Sequence, residues 1–250
     1  MSTRKILIAA VVLGAALIGV MTWGQSRAEG PTTVPVQEEM VAREADGPVA
    51  RITEEELADG FAPLIAEREN AGFDERGWNH YGPGHFTLDH ETGILASHGG
   101  MGLLWYAAEM LGDFTLRLEF MTSVHEANSG IFLRVPGVPL SDDYIYHSFE
   151  VQIDAAGAPD GRSVHRTGAV YDAEAPSEDR AKPPGEWNEI EISFVGDRIM
   201  VELNGARIVD WVAEPRGKIE DFAARGYIGL QNHDVATSVY FRNIRVKKLD

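Results

Sequence analysis

An all-β fold, an antiparallel β-sandwich of two sheets of jelly-roll type, is what the sequence predicts. Three observations carry this. From Phe61 onward apolar and polar residues alternate with period two. Gly, Pro, Asn or Asp interrupts the alternation about every ten residues. Only one short segment of the body carries a helix-start pattern. Antiparallel sheets with one apolar face must bury it against a partner, so this many strands imply two stacked sheets.

The elements follow in chain order. Met1-Ser-Thr-Arg-Lys5 precedes an uncharged run from Ile6 to Met21, and Ser26 and Ala28 sit at −3 and −1 of a cut after Ala28. That is the plan of a signal peptide over residues 1–28. A run this long is also near the minimum for a membrane span, so an uncleaved N-terminal anchor helix remains the alternative. Either way the body is expected outside the cytoplasm, in the periplasm or cell envelope. Residues 29–50 hold Pro31, Pro35 and Pro48 with several acids and no aromatic, which reads as a flexible acidic linker. The folded domain is expected over residues 51–250. Thr53 with Glu56 makes a capping box for a short helix, Glu54 to Asp59. Phe114, Leu116, Leu118 and Phe120 alternate with polar residues. Ile190, Ile192 and Phe194 do the same, and Ile199 to Leu203 leads into Asn204-Gly205, a hairpin signal joining it to Arg207–Trp211. Gly226 to Asn232 and Ser238 to Lys247 form the last pair.

Composition limits the function classes. Of the 250 residues 44% are hydrophobic and 24% charged, values of an ordinary globular chain. With 22 basic against 39 acidic residues the net charge is −17, which argues against nucleic acid as a partner. No cysteine is present, so no thiol nucleophile, disulfide or thiolate metal site exists.

Three strands present polar groups suited to binding and proton transfer. In Phe149–Asp154 the apolar Phe149, Val151 and Ile153 point inward, leaving Glu150, Gln152 and Asp154 on the other face. In Gly130–Val135 the alternation puts Arg134 outward. In Tyr227–His233 it puts Gln231 and His233 outward. Outward polar residues on a sandwich are usually just solvated, but solvated strands favour Lys, Glu and Thr, whereas Gln, His, Arg and Asn amid aromatics suit hydroxyl recognition. Asn128 opens a turn and could also reach a ligand. Trp105 and Trp187, like Trp78, are either packing residues or platforms for sugar rings. His80, His85, His90, His98, His125 and His165 lack metal-ligand spacing and are expected to be solvated. There is no phosphate loop, no zinc-protease helix and no nucleophile elbow.

Several stretches together carry a resemblance: Gly102-Leu-Leu-Trp105, Asp113–Phe120, Asn128-Ser-Gly-Ile-Phe-Leu-Arg-Val-Pro136, Phe149-Glu-Val-Gln-Ile-Asp154, Thr167-Gly-Ala-Val-Tyr171, Gly185-Glu-Trp187, Gly229-Leu-Gln-Asn-His233 and Phe241-Arg-Asn-Ile-Arg245. In this order they resemble the 3-keto-disaccharide hydrolase domain family. The resemblance implies a concanavalin A-like jelly roll and action on 3-keto-glycosides, by elimination across C1 and C2 followed by hydration. It implies a carbohydrate substrate supplied by an upstream sugar 3-dehydrogenase. Glu150, His233 and Arg134 are then the expected catalytic residues, with Asn128, Gln152, Asp154, Tyr171, Gln231, Trp105 and Trp187 binding substrate. Glu150 and His233 could alternatively ligate a divalent cation. The chain departs from the family at Phe149, usually Tyr, at Asp234, usually Gly, and in Asp172-Ala-Glu174. The other function class left open is a non-catalytic, lectin-like carbohydrate-binding module.

Overall fold

The computed structural model describes residues 49–249; the expected signal or anchor segment (1–28) and nearly all of the linker (29–50) lie outside them. One short helix, α1 (Glu54–Ala58), opens the body, followed by β1 (Phe61–Pro63), β2 (Ala66–Arg68), β3 (Gly72–Asp74), β4 (Trp78–Tyr81) and β5 (His85–Leu88). Then come β6 (Leu95–His98), β7 (Gly102–Tyr106), β8 (Phe114–Thr122), β9 (Asn128–Val135) and β10 (Phe149–Asp154). The last five are β11 (Asn188–Val195), β12 (Arg198–Leu203), β13 (Ala206–Val212), β14 (Tyr227–Asn232) and β15 (Val239–Lys248).

The strands form the expected antiparallel sandwich. The larger sheet runs β13-β12-β11-β8-β15-β6-β5, with β1 on the end of β15, and the smaller runs β10-β9-β14-β7-β4. The alternation of β8 is realised literally: Phe114, Leu116, Leu118 and Phe120 are buried while Thr115, Arg117 and Glu119 face outward. Between the sheets these residues meet Ile131, Leu133, Phe149, Val151, Ile153, Ile228 and Leu230 of the smaller sheet. Edge-to-face contacts of Phe149 with Phe194 and Trp211, each at 5.7 Å between ring centres, join the two layers.

The capping box at α1 forms as read, with Glu56 N–H donating to Thr53 Oγ1 at 3.2 Å and Thr53 N–H donating to Glu56 Oε2 at 3.1 Å. Glu56 also accepts from Arg117 and Arg245, so the cap is tied to the larger sheet. The Asn204-Gly205 turn joins β12 to β13, with both residues at positive φ, as a type I′ hairpin requires.

Candidate functional site

The site lies on the outer face of the smaller sheet, because β10, β9 and β14 are neighbours in that order. Glu150 pairs with Phe132 and Gln152 with Gly130 across β10 and β9. An open cleft of about 470 Å³ sits over these strands, lined among others by Asn128, Glu150, Gln152, Gln231 and His233. Loops complete it: Asp160, His165 and Tyr171 come from the segment after β10, Lys218 from the β13–β14 connection, and Met101, Ile145 and Tyr146 from the rim.

Glu150 is 3% exposed and its carboxylate is tied at both oxygens. Oε2 accepts from Lys218 Nζ at 2.7 Å. The Gln152 amide is assigned with its nitrogen donating to Glu150 Oε1 at 3.3 Å and to the Ser129 carbonyl at 3.0 Å, since the opposite orientation sets oxygens face to face. Gly130 makes room for this carboxylate: a Cβ there would stand 2.2 Å from Glu150 Oε1. Lys218 Nζ in turn lies 4.4 Å from the centre of the Tyr171 ring. Tyr171 stacks on His165 at 4.8 Å, and the His165 Nδ1 is 2.7 Å from Asp160 Oδ1. Burial, with the charge of Glu150 next, pushes the Tyr171 phenol up, so it stays protonated at neutral pH.

His233 is the least enclosed of the titratable groups on the strand face, its side chain 39% exposed. Its Nδ1 lies 2.7 Å from Asp234 Oδ1. The hydrogen bond to Asp234 raises the imidazole above its ordinary value; burial opposes this, while the charges of Asp234, Glu150 and Asp154 add to it. Gln231, 6% exposed, has its Oε1 without a hydrogen-bond partner, a buried acceptor that a hydroxyl in the cleft would satisfy.

Four expected site residues lie elsewhere. Arg134 does not face the cleft. Its φ is +55, and β9 carries one extra residue opposite β14, where Val135 pairs with Tyr227 but Phe132 with Gly229. This bulge reverses the alternation and turns Arg134 inward, 1% exposed. There its guanidinium donates to the carbonyls of Gly112 and Gly196 and to Asp113, and lies 3.5 Å above the Phe194 ring. Asp154 is buried, its carboxylate accepting from the N–H groups of Ala156, Gly157 and Ala158 to close the loop after β10. Trp105 packs with Leu103, Phe132, Val135 and Tyr144 in a second apolar cluster, so it offers no ring to the cleft. Trp187 sits on the other sheet, under Arg242 and against Ile94, Ala96, Met121 and Tyr240.

Of the histidines expected to be solvated, His85, His90 and His125 are exposed, whereas His80 and His98 are half-buried, His80 reaching Asn232 Oδ1 at 2.9 Å and His98 stacking on His85 at 5.2 Å. His165 departs from the expectation: it is buried in the cleft wall. Lys218 escaped the sequence reading altogether; its loop has no periodicity to assign it a face.

The side chains do not suit a resident divalent cation. Glu150 already holds an ammonium on one oxygen, and among the described residues no group of three or more His, Asp or Glu converges as ligands.

Residues 67–247 match the family described as the 3-keto-alpha-glucoside-1,2-lyase-like domain. The chain belongs to that family. Every cleft residue named above falls within the matched segment. The fold is similar to a crystal structure from Parabacteroides distasonis ATCC 8503 provisionally described as a glycosyl hydrolase, at 22% identity and a TM-score of 0.66, covering 80% of this chain and 98% of that one. A second structure from the same organism, with the same provisional description, is 26% identical with a TM-score of 0.62, covering 76% and 99%. No curated protein matches the sequence.

Proposed function

We propose that this protein is an exported carbohydrate-active enzyme that cleaves 3-keto-glycosides by elimination and hydration, on a concanavalin A-like jelly roll. The observation that carries the reading is the convergence of His233, the Lys218–Glu150 ion pair, Tyr171 and the amides of Gln152, Gln231 and Asn128 on one cleft. Family membership supports this choice of substrate class.

A ketone at C3 acidifies the hydrogen on C2. Nε2 of His233 removes that proton, and the electron pair forms the C2=C3 bond while the carbonyl oxygen becomes an enolate. Lys218 replaces Arg134 as the cation that faces this developing charge. The enolate then reforms the carbonyl, C1=C2 forms, and the bond from C1 to the leaving oxygen breaks. The Tyr171 hydroxyl protonates the departing alkoxide, and solvent returns a proton to Tyr171 as His233 releases its own. Water adds to C1 of the enone and a proton to C2, which completes net hydrolysis. Glu150, sealed by Lys218 and Gln152, holds the ammonium in place rather than meeting the substrate. The neutral amides orient the sugar hydroxyls. The substrate must come from an enzyme that oxidises a sugar at C3. The export pattern of residues 1–28 supports a place in the periplasm or cell envelope.

The test is incubation with 3-keto-sucrose or 3-keto-trehalose, following glucose release and enone absorbance. His233→Ala is expected to lower turnover by about 100-fold or more. Substrate bound reversibly and recovered unchanged would overturn the enzyme reading in favour of a carbohydrate-binding module.

A further inference from the structure

We propose that Asp234 is a positioning residue for His233: its carboxylate takes the imidazole Nδ1–H and leaves Nε2 as the lone-pair nitrogen turned to the cleft. The inference rests on the reading of His233 as the base. Its ground is geometric. Asp234 Oδ1 lies 2.7 Å from His233 Nδ1, while Asp234 Oδ2 accepts from the backbone N–H of Asn128 at 2.9 Å and from the Thr237 hydroxyl. Asn128 is the first residue of β9, so the carboxylate is anchored to the sheet floor as well as to its own loop. A carboxylate held at three points cannot swing away from the imidazole without breaking the other two contacts.

A neutral imidazole has one donor and one acceptor nitrogen, and which is which follows from the partner of each. An ionised carboxylate only accepts, so the proton belongs on Nδ1 and the lone pair on Nε2. Burial pushes the Asp234 carboxyl up, but the hydrogen bonds from His233, Thr237 and Asn128 outweigh it and hold it below its ordinary value. Asp234 therefore remains an anion at neutral pH. The same anion stabilises the imidazolium formed once His233 has taken the substrate proton. The other charges acting on His233 are Glu150 and Asp154 from β10, the first of them ion-paired with Lys218 from the β13–β14 connection.

The experiment uses the full chain, histidines labelled with nitrogen-15, without any ligand. In the unsubstituted protein, neutral His233 is expected to carry its proton on Nδ1. Asp234→Asn keeps the size and an acceptor oxygen but can offer an N–H to the ring; the proton is expected to move to Nε2 and the titration midpoint of His233 to fall. On 3-keto-trehalose the same variant should lose about 100-fold or more in kcat, with KM changed by less than about threefold. Thr237→Val, which removes one clamp but not the charge, should keep the Nδ1–H tautomer and lose less than about tenfold. If Asp234→Asn leaves tautomer and midpoint unchanged, or if both variants lose activity alike with no shift in the pH profile, Asp234 only braces its loop and the proposal is overturned. If Asp234→Asn fails to fold, the unsubstituted protein decides: a neutral His233 protonated on Nε2 overturns it. A tautomer switch in a protein inactive on every 3-keto-glycoside would instead remove the proposed function and leave the dyad standing.

Discussion

Lys218 and Glu150 are the pair on which the cleft depends, and the two play unequal parts. Glu150 is the more deeply enclosed, so removing its cation leaves a buried carboxylate with only an amide for company. Breaking such a pair from one side costs about 3 to 5 kcal/mol, whereas neutralising both partners costs much less. Lys218→Met should therefore destabilise the fold by about 3 kcal/mol in urea unfolding and abolish turnover. Adding Glu150→Gln to it should restore most of the stability and none of the activity. Stability unaffected by the first change would show that Glu150 is hydrated after all. At this scale the sequence was uneven. Glu150, Gln152 and Gln231 were legible because unbroken alternation fixes the face of each. Arg134 stands on an equally regular apolar pattern, yet a single inserted residue opposite β14 reverses its face, and nothing in Leu133-Arg134-Val135 marks the bulge. Asp154 was placed on the right strand but at its last residue, where three backbone donors of the following loop claim it.

Among the elements, the strands were readable and the loops were not. The bounds of β8, β12 and β14 differ from their sequence expectation by a residue or two, since period two and turn residues encode them directly. The β13–β14 connection carries Lys218 over the sheet with no such code, and what aims it is a backbone contact. Gly217 has φ +59, and a Cβ there would stand 2.1 Å from the Asp172 carbonyl oxygen. Side chains other than glycine are strained at that φ, and here there is also no space. Gly217→Ala is thus expected to push the connection off the Tyr171–Asp172 segment, lower kcat/KM by about tenfold or more through the misplaced ammonium, and leave the sheets intact. Unchanged kinetics alongside an unchanged circular dichroism spectrum would mean that Lys218 reaches its position by some other support. Loop 155–172 is braced separately by Asp160, His165 and Arg162, and the backbone N–H of Arg162, opposed by burial and aided by His165 and the Arg162 side chain, draws the Asp160 carboxyl down to about 2.

For the molecule as a whole, two features read from composition and topology bear on substrate charge. The chain has a formal net charge of −17, and the cleft opens on the outer face of a sheet rather than between the two sheets. A ligand approaching that face from solvent meets the long-range field before it meets Lys218, whose charge is locally matched by Glu150. Coulomb steering acts only on charged ligands and fades as salt shortens the screening length from about 30 Å at 0.01 M to about 8 Å at 0.15 M. A neutral 3-keto-glycoside should therefore show kcat/KM constant within about twofold over that range. A glycoside bearing a carboxylate or phosphate should begin slower and gain as salt is added, because screening lifts the repulsion. Stopped assays of a neutral and a uronate-bearing 3-keto-glycoside across the salt series separate the two. If the anionic compound is the faster at low salt, the local field of the cleft is positive despite the net charge. The Lys218–Glu150 pair would then be open in solution, with its ammonium free to bind the substrate as a counter-ion.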